Sequence, residues 1–142
     1  MLIGVVGLGF VGSAIHEGMR NFYDILTFDI DESKCNSKLE DVVKNCDIIF
    51  QCLPTPMKKN GECDLSIVTS SIRNIDALSK KLRKDKPIIV IKSTVPPGTT
   101  EKLHYDSRCL DVIFSPEFLT EVNSFEDFKN QTRIILGGSR PA

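Results

Sequence analysis

The feature that most constrains the fold is the way apolar runs flank a glycine-rich turn in the first 29 residues. Leu2–Val6 is a short run with β-branched character, which predicts a buried strand. Gly-Leu-Gly-Phe-Val-Gly follows at residues 7–12 and leads into an amphipathic stretch that ends near Asn21. A second apolar run, residues 23–28, ends in Asp29. This order predicts a strand, a tight turn, a helix and a second strand closed by an acid.

Each glycine of the turn has a separate physical task in a dinucleotide site. Gly7 allows the sharp turn off the strand, Gly9 lets the backbone approach a pyrophosphate, and Gly12 lets the helix pack closely on the strand. The N–H groups at the helix start, near Phe10 and Val11, would face the phosphates with the helix dipole behind them. The glycines alone would equally fit a plain turn, and it is the flanking strands, helix and acid that favour dinucleotide binding.

Asp29 indicates which dinucleotide the site prefers. It lies seventeen residues after Gly12, close to the spacing expected for a carboxylate that binds the ribose hydroxyls. A carboxylate there would repel a 2′-phosphate, and Lys34 is the only nearby cation. The sequence therefore predicts NAD rather than NADP as the cofactor.

Length and composition indicate an ordinary globular domain. The chain has 142 residues, 41% hydrophobic and 26% charged, which suits a single α/β domain over residues 1–142. A net charge of −1 offers no basic field for nucleic acid. No apolar run approaches the ~18 residues of a membrane span, and we expect neither a leader peptide nor a membrane partner. Five cysteines without C-x-x-C spacing argue against a disulfide framework or a metal site, so we expect a reducing, cytoplasmic location.

The rest of the chain alternates helices and strands, as a parallel sheet covered on both faces requires. Helices are predicted at residues 39–45, 65–82 and 100–105. Asp64 and Thr99 precede the last two of these helices and are their predicted N-caps. Further strands are predicted at residues 47–53, 88–91, 111–114 and 133–137. We expect a Rossmann-type doubly wound sheet with strand order 3-2-1-4-5-6.

Polar residues collect where the later strands end. Thr55 stands between two prolines after the third strand, Ser93 and Thr94 follow the fourth, and Glu117 follows the fifth. Ligands of such sheets bind at this carboxyl edge. Glu117 is a candidate general base because a carboxylate at the edge can reach a bound water, the alternative being an exposed loop acid. For Ser93 and Thr94 the alternative is that their hydroxyl groups only form hydrogen bonds with backbone groups of the turn.

Four motifs occur in order along nearly the whole chain. They are the glycine turn, Leu-Pro-Thr-Pro at residues 53–56, Ser-Thr-Val-Pro-Pro-Gly-Thr at 93–99 and Ser-Pro-Glu-Phe-Leu-Thr-Glu at 115–121. Together they resemble the N-terminal domain of the UDP-glucose/GDP-mannose 6-dehydrogenase family, with the UDP-glucose branch as the closer match. The resemblance implies oxidation of the 6-hydroxyl of a nucleotide sugar, UDP-glucose or GDP-mannose, twice to a uronate with two NAD.

The same resemblance implies roles for particular residues. The pyrophosphate would be held by Gly7, Gly9, Phe10, Val11 and Gly12. The adenosine ribose would be held by Asp29 and Lys34, and the nicotinamide half would lie along Thr55 and Thr94. Glu121 would contact NAD. Thr94 and Glu117 would handle water and protons at the reacting carbon, which makes them the candidate catalytic residues.

The resemblance also implies that part of the family's machinery lies beyond these residues. The family's catalytic cysteine, lysine and asparagine, most of its sugar pocket and the long helix of its dimer belong to a later domain. Cys63, in the polar loop 57–63, is a weak substitute for the thiol. Val122 and Asn123 replace the small glycine usual after the second glutamate, and the stretch between Asp29 and the third strand is shorter than usual.

Two classes of function stay open. The first is the NAD-binding part of a nucleotide-sugar dehydrogenase, working with further domains or a partner chain. The second is a stand-alone NAD-binding module without redox activity. A third, a Rossmann enzyme of the β-hydroxyacid dehydrogenase kind, is disfavoured by the Ser-Thr-Val-Pro-Pro-Gly-Thr motif. We expect the chain alone to be inactive on nucleotide sugars and to be a monomer or weak dimer.

Overall fold

The short apolar runs form a parallel sheet, and the periodic stretches form helices on both of its faces. A computed structural model of the chain describes residues 1–138. The strands are β1 (Leu2–Val6), β2 (Asp24–Phe28), β3 (Ile48–Gln51), β4 (Ile88–Ile91) and β5 (Asp111–Phe114). The helices are α1 (Phe10–Met19), α2 (Leu39–Asn45), α3 (Ser66–Leu82), α4 (Thr99–Asp106) and α5 (Ser124–Asn130). The predicted doubly wound α/β fold is confirmed.

The sheet has five parallel strands in the order 2-1-3-4-5, so the predicted order 3-2-1-4-5-6 is wrong. Because β3 pairs with β1, with Ile3 opposite Ile48, it lies on the side of β1 away from β2. The connection through α2 crosses over β1, where Gly4 leaves room for the helix. A Cβ at Gly4 would lie 2.6 Å from the side chain of Val42. The close approach of α2 to β1 thus carries the chain across β1 instead of outward from β2.

The outer edge of β2 is covered by a side chain instead of a strand. The Asn36 carboxamide accepts a hydrogen bond from the Thr27 N–H at 2.8 Å and donates one to the Ile25 carbonyl at 3.2 Å. The N–H of Asn36 donates to Thr27 Oγ1, and the N–H of Ser37 donates to the Thr27 carbonyl. These bonds satisfy edge groups that would otherwise be open to pairing with another strand.

The core lies in two layers, one on each face of the sheet. Alternate residues of β1 point to opposite faces, so Ile3 and Val5 pack against α1 residues while Val6 packs on the other side. The larger layer lies beneath α2, α3 and α4, whose buried apolar side chains include Val42, Ile72 and Leu103.

The end of the described chain differs from the prediction. The strand expected at residues 133–137 is a single antiparallel bridge between Phe114 and Gly137, with backbone hydrogen bonds of 2.7 and 2.8 Å. Its apolar side chains Ile134 and Leu136 are largely exposed, so they have no layer to pack on. Helix α5 was not predicted. It packs on α1 through Phe128, whose ring lies where a Cβ on Gly18 would stand.

The two predicted helix caps have different outcomes. Asp64 accepts a hydrogen bond from the N–H of Ser66, the first residue of α3, at 2.9 Å. The hydrogen bonds of Ser66 hold the pKa of Asp64 below its ordinary value. Leu65, and not Asp64, holds the N-cap position of α3, and Asp64 satisfies one N–H of the first turn from the residue before it. Thr99 is not an N-cap, because it already belongs to α4 and Gly98, in the left-handed conformation at φ 83°, precedes the helix.

Candidate functional site

A cleft of about 700 Å³ runs along the carboxyl edge of the sheet. It lies over the ends of β1 and β3, where successive connections leave in opposite directions, which is the usual ligand position in doubly wound sheets. The predicted site residues that line it are Gly7, Gly9, Phe10, Val11, Asp29, Thr55, Thr94, Glu117 and Glu121. One concave surface therefore gathers residues from the ends of all five strands.

The glycine turn is shaped by close backbone contacts at two of its three glycines. Gly7 has a φ of +90°, its N–H donates to the Phe28 carbonyl at 2.9 Å, and a Cβ there would lie 2.5 Å from the Cys52 carbonyl oxygen. A Cβ on Gly12 would lie 1.8 Å from the Gly7 carbonyl oxygen. A Cβ on Gly9 would meet no protein atom within 4 Å. Gly7 and Gly12 are thus required by the protein itself, and the space over Gly9 is open to a ligand.

The start of α1 is open to an anion. Gly9 precedes the helix without a side-chain cap, and the first turn carries no acidic residue. The first N–H groups of a helix have no intrahelical acceptors, and the positive end of the helix dipole lies there. Since Phe10 and Val11 line the cleft, this donor set suits a pyrophosphate.

Asp29 faces the cleft and also holds the glycine turn. Its Oδ2 accepts a hydrogen bond from the Leu8 N–H at 2.6 Å, and its Oδ1 accepts one from the Asp31 N–H at 2.9 Å. A carboxylate has about four acceptor positions, so two remain for further donors. The link to Leu8 was not expected from the sequence, because it joins residues 21 positions apart.

Two residues of the predicted set lie outside the cleft lining. Gly12 is buried beneath the turn, where its lack of a side chain permits the contact with Gly7. Lys34 is 55% exposed, and its Nζ lies 3.6 Å from Asp31 Oδ2. It borders a separate groove with Ser13 and His16.

Hydroxyl groups join the ends of β3 and β4. Ser93 Oγ donates to the Leu53 carbonyl at 2.6 Å and accepts from the Leu53 N–H at 3.2 Å. The Thr55 hydroxyl donates to the Thr94 carbonyl at 2.8 Å. Ser93 therefore serves the backbone, as its alternative interpretation proposed, whereas the exposed Thr94 side chain borders the cleft.

A buried ion pair forms the far end of the cleft. Lys92 Nζ lies 3.1 Å from Glu117 Oε2, and the two side chains are 9% and 11% exposed. Lys92 Nζ also donates to Ser115 Oγ at 3.2 Å and to the Pro116 carbonyl at 3.4 Å, while Glu117 Oε1 accepts from the Phe118 N–H at 2.9 Å. Glu117 is therefore not an exposed loop acid.

Sequence reasoning missed Lys92 as a site residue. Its only sequence signal is its position directly before the Ser-Thr pair at the end of β4. A lysine there would ordinarily extend into solvent, and only the approach of the loop after β5 buries it.

The thiol that lines the cleft, that of Cys52, is not activated. Cys52 lines the cleft, and burial raises the pKa of its thiol to about 12, with Lys92 lowering it and Glu117 raising it further. The Cys63 thiol lies outside the cleft lining and contacts the Thr94 carbonyl at 3.9 Å. A thiol is nucleophilic as its thiolate, so Cys52 is unsuited to covalent catalysis at neutral pH. Within residues 1–138, no three His, Cys, Asp or Glu side chains are grouped as metal ligands.

Comparison with known proteins agrees with this geometry. Residues 34–142 match the UDP-glucose/GDP-mannose dehydrogenase family, NAD binding domain. This chain belongs to that family. Membership implies NAD as the cofactor and confirms the resemblance drawn from the four motifs.

Individual relatives are longer than this chain. It is 34% identical to an uncharacterized protein of Methanocaldococcus jannaschii, over 96% of this chain and 18% of that protein. It is 35% identical to the UDP-glucose 6-dehydrogenase of Rickettsia bellii, over 87% of this chain and 28% of that enzyme. The GDP-mannose dehydrogenase from Pseudomonas aeruginosa shares the fold, with a TM-score of 0.86 at 22% identity over 98% of this chain and 41% of that one. The chain therefore spans less than half the length of these relatives.

None of the helices in residues 1–138 combines the length and hydropathy that crossing a bilayer requires.

Proposed function

We propose that this chain is the NAD-binding domain of a nucleotide-sugar 6-dehydrogenase, most closely of the UDP-glucose branch. Within the full enzyme it would take part in oxidising the sugar 6-hydroxyl to a uronate. The observation that carries the proposal is the single cleft that joins the glycine turn and Asp29 to Thr94 and Glu117. The UDP-glucose branch is favoured because the Rickettsia relative bears that name at 35% identity.

We propose that NAD lies along the length of the cleft. The pyrophosphate would lie over Gly9 and the open start of α1, where no side chain intervenes. The adenosine ribose would bind the free acceptor positions of Asp29. The nicotinamide half would extend past Thr55 and Thr94 toward Glu121.

Lys34 would need to leave its partner to reach the same ribose. Its ion pair with Asp31 is exposed, and exposed pairs contribute little stability, so this rearrangement is inexpensive.

The chemistry that bound NAD would supply is acceptance of a hydride from the sugar carbon. Glu117 would hold a water or a proton close to that carbon, because its carboxylate is fixed by Lys92 and the Phe118 N–H at the end of the cleft. The Thr94 hydroxyl, which also borders the cleft, would help to orient the same water.

The second oxidation needs a thiol that the cleft does not provide. A hydride leaves an aldehyde carbon readily only after a nucleophile has made that carbon tetrahedral, which a thiolate does by forming a thiohemiacetal. Cys52, with a pKa of about 12, is a neutral thiol at pH 7, and Cys63 does not line the cleft. We propose that the thiol and the groups that stabilise the oxyanion come from another domain or a partner chain.

A stand-alone NAD-binding module is the second candidate, and the lack of an activated thiol in the cleft favours it. In both cases we place the domain at residues 1–142 and the protein in the cytoplasm. The five cysteines are free thiols, which suits a reducing compartment.

The test is to mix the purified chain with NAD⁺ and UDP-glucose, or GDP-mannose, and to follow NADH absorbance. We expect NAD⁺ binding by calorimetry without turnover, and turnover when a second polypeptide carrying the family's later domains is added. Binding without turnover in any mixture would favour the stand-alone module. Steady formation of two NADH per sugar by the chain alone would overturn the proposal that the thiol comes from another domain or a partner chain. Failure to bind NAD⁺ would overturn both candidate functions.

A further inference from the structure

The charges at the two ends of the cleft differ in their exposure to solvent. The Glu121 side chain is exposed. Asp29 is partly exposed and lies beside the glycine turn, at the end of the cleft away from β4 and β5. Lys92 and Glu117 are 9% and 11% exposed at the end formed by β4 and β5. Charges shielded from water are screened least, so this pair has the strongest influence on a ligand group bound beside it.

The pair is held rigidly, and each member has anchors of its own. Lys92 Nζ keeps its hydrogen bonds to Ser115 and Pro116 without Glu117, and Glu117 Oε1 keeps its bond from Phe118 without Lys92. Glu117 Oε2 is buried and accepts no hydrogen bond within the described residues, so Lys92 balances it by charge alone. Removal of either partner therefore leaves a fixed, unbalanced charge at this end of the cleft.

NAD⁺ and NADH differ in the charge of the nicotinamide ring. The ring is cationic when oxidised and neutral when reduced, and the rest of the molecule is unchanged. A negative charge beside the ring therefore favours NAD⁺, a positive charge favours NADH, and a balanced pair favours neither. The ratio of the two dissociation constants reports the charge at this end of the cleft.

We propose that the Lys92–Glu117 ion pair sets the relative affinity of the cleft for NAD⁺ and NADH, with Lys92 acting as the positioning and charge-balancing residue of Glu117. The inference rests on the proposed function as an NAD-binding domain. Its consequence is that the buried pair beside the reacting ring holds neither the substrate cofactor nor the product cofactor preferentially.

The test is a set of titrations with NAD⁺ and with NADH at one pH and ionic strength. Glu117→Gln leaves an unbalanced cation, and we expect the ratio of the NAD⁺ to the NADH dissociation constant to rise roughly a hundredfold, as for unit charges about 6 Å apart at an effective dielectric constant of about 20. Lys92→Met leaves an unbalanced anion, and the ratio should fall by a similar factor. The double variant and Lys92→Arg should both keep a ratio within about twofold of the unmodified chain, because charge balance is retained.

The controls separate charge from folding. Lys102→Met and Asp106→Asn alter an exposed ion pair in α4, at 75% and 53% side-chain exposure, and should leave the ratio unchanged. A purely structural role would weaken both cofactors together and would not move the ratio in opposite directions in the two single variants. If one single variant does not fold, the other single variant and the double variant still show whether the ratio of dissociation constants follows the charge.

Two outcomes would overturn the proposal: single variants that shift the ratio in the same direction, or folded single variants that bind both cofactors with an unchanged ratio. Failure of the unmodified chain to bind NAD⁺ and NADH would instead count against the proposed function.

Discussion

The two ends of the cleft are built in different ways. The end near Asp29 comes from one contiguous stretch, β1 through β2, and its groups are largely backbone atoms of the glycine turn and the start of α1. The far end comes from side chains that follow β3, β4 and β5, including Ser93, which bonds Leu53 from 40 positions away. The first end depends on backbone conformation, and the second depends on which strands lie side by side.

This difference changes how each end responds to mutation. At Gly7 and Gly12 in the glycine turn there is no room for a side chain, since a Cβ at either position would overlap a backbone oxygen. At the far end the buried charge of Lys92 requires its partner Glu117. We therefore expect steric effects at the first end and electrostatic effects at the second.

The largest expected effect concerns the reactivity of Cys52 at the far end. Burial raises the pKa of Cys52 to about 12 and that of Cys46 to about 11, from an ordinary value of 9.0. At pH 8 the thiolate fraction falls about tenfold for each unit by which the pKa is raised. Alkylation should therefore be ~1000-fold slower for Cys52 and ~100-fold slower for Cys46 in the folded chain than in the urea-unfolded chain.

Iodoacetamide labelling followed by mass spectrometry measures both rates. Because both pKa values are raised, the two rates should keep increasing as the pH rises from 8 to 10. Equal labelling of Cys52 in the folded and unfolded chains would show that the far end is more open than the structure indicates.

The second effect tests the steric character of the glycine turn. Gly12→Ala places a Cβ 1.8 Å from the Gly7 oxygen, and we expect a loss of about 3 kcal/mol in the free energy of unfolding. The matched control is Gly9→Ala, whose Cβ meets no protein atom within 4 Å and should cost at most about 1 kcal/mol.

Urea unfolding and NAD⁺ calorimetry separate the two variants. Gly9→Ala should keep its fold and lose NAD⁺ binding, because the added methyl group occupies the space proposed for the pyrophosphate. If Gly9→Ala binds NAD⁺ as the unmodified chain does, the pyrophosphate does not lie there.

The third effect concerns the selectivity of the same end. Asp29→Asn removes the charge proposed to bind the ribose and to repel a 2′-phosphate, and we expect NAD⁺ affinity to fall about tenfold and the preference over NADP⁺ to narrow. Glu32→Gln removes an equal charge three residues away, on an exposed side chain outside the cleft lining, and serves as the control. Calorimetry with NAD⁺ and with NADP⁺ measures the two affinities. Tight NADP⁺ binding by the unmodified chain would contradict the role proposed for Asp29.

The smallest effect concerns the contacts of Asn36 with strand β2, which belongs to the end of the cleft near Asp29. Asn36→Ala exposes the edge groups of Thr27 and Ile25 in β2, and we expect a loss of about 1–2 kcal/mol with increased self-association. Asn45→Ala, which removes one exposed intrahelical bond to Asp41, is the control.

Sedimentation at several concentrations should find the unmodified chain to be a monomer or weak dimer. A tight dimer that Asn36→Ala leaves unchanged would mean that another surface mediates association.

The sequence predicted the elements better than their arrangement. The bounds of β1, α2, β4 and β5 match the prediction, because each is a distinct apolar or periodic run. Helix α5 was missed because it has seven residues and none that is buried. The run at residues 133–137 has the apolar composition of a strand, but only Gly137 pairs with β5.

The candidate site divides in the same way. Gly7, Gly9 and Asp29 were recognisable because their spacing along the chain is the signal. Lys92 was not, because its importance comes from Glu117, which lies 25 positions later in the chain and 3.1 Å away in space.

The sequence by itself determined the elements, the glycine turn and the acid that closes β2, since these depend on local sterics and on side-chain periodicity. It also determined the family, through four motifs in order. Only the tertiary structure decided that β3 pairs with β1, because Gly4 lets α2 pack directly over that strand. The pairing of β4 with β5 brings the ends of these strands together and buries Lys92 against Glu117, a contact that depends on distance in space and has no periodicity along the chain.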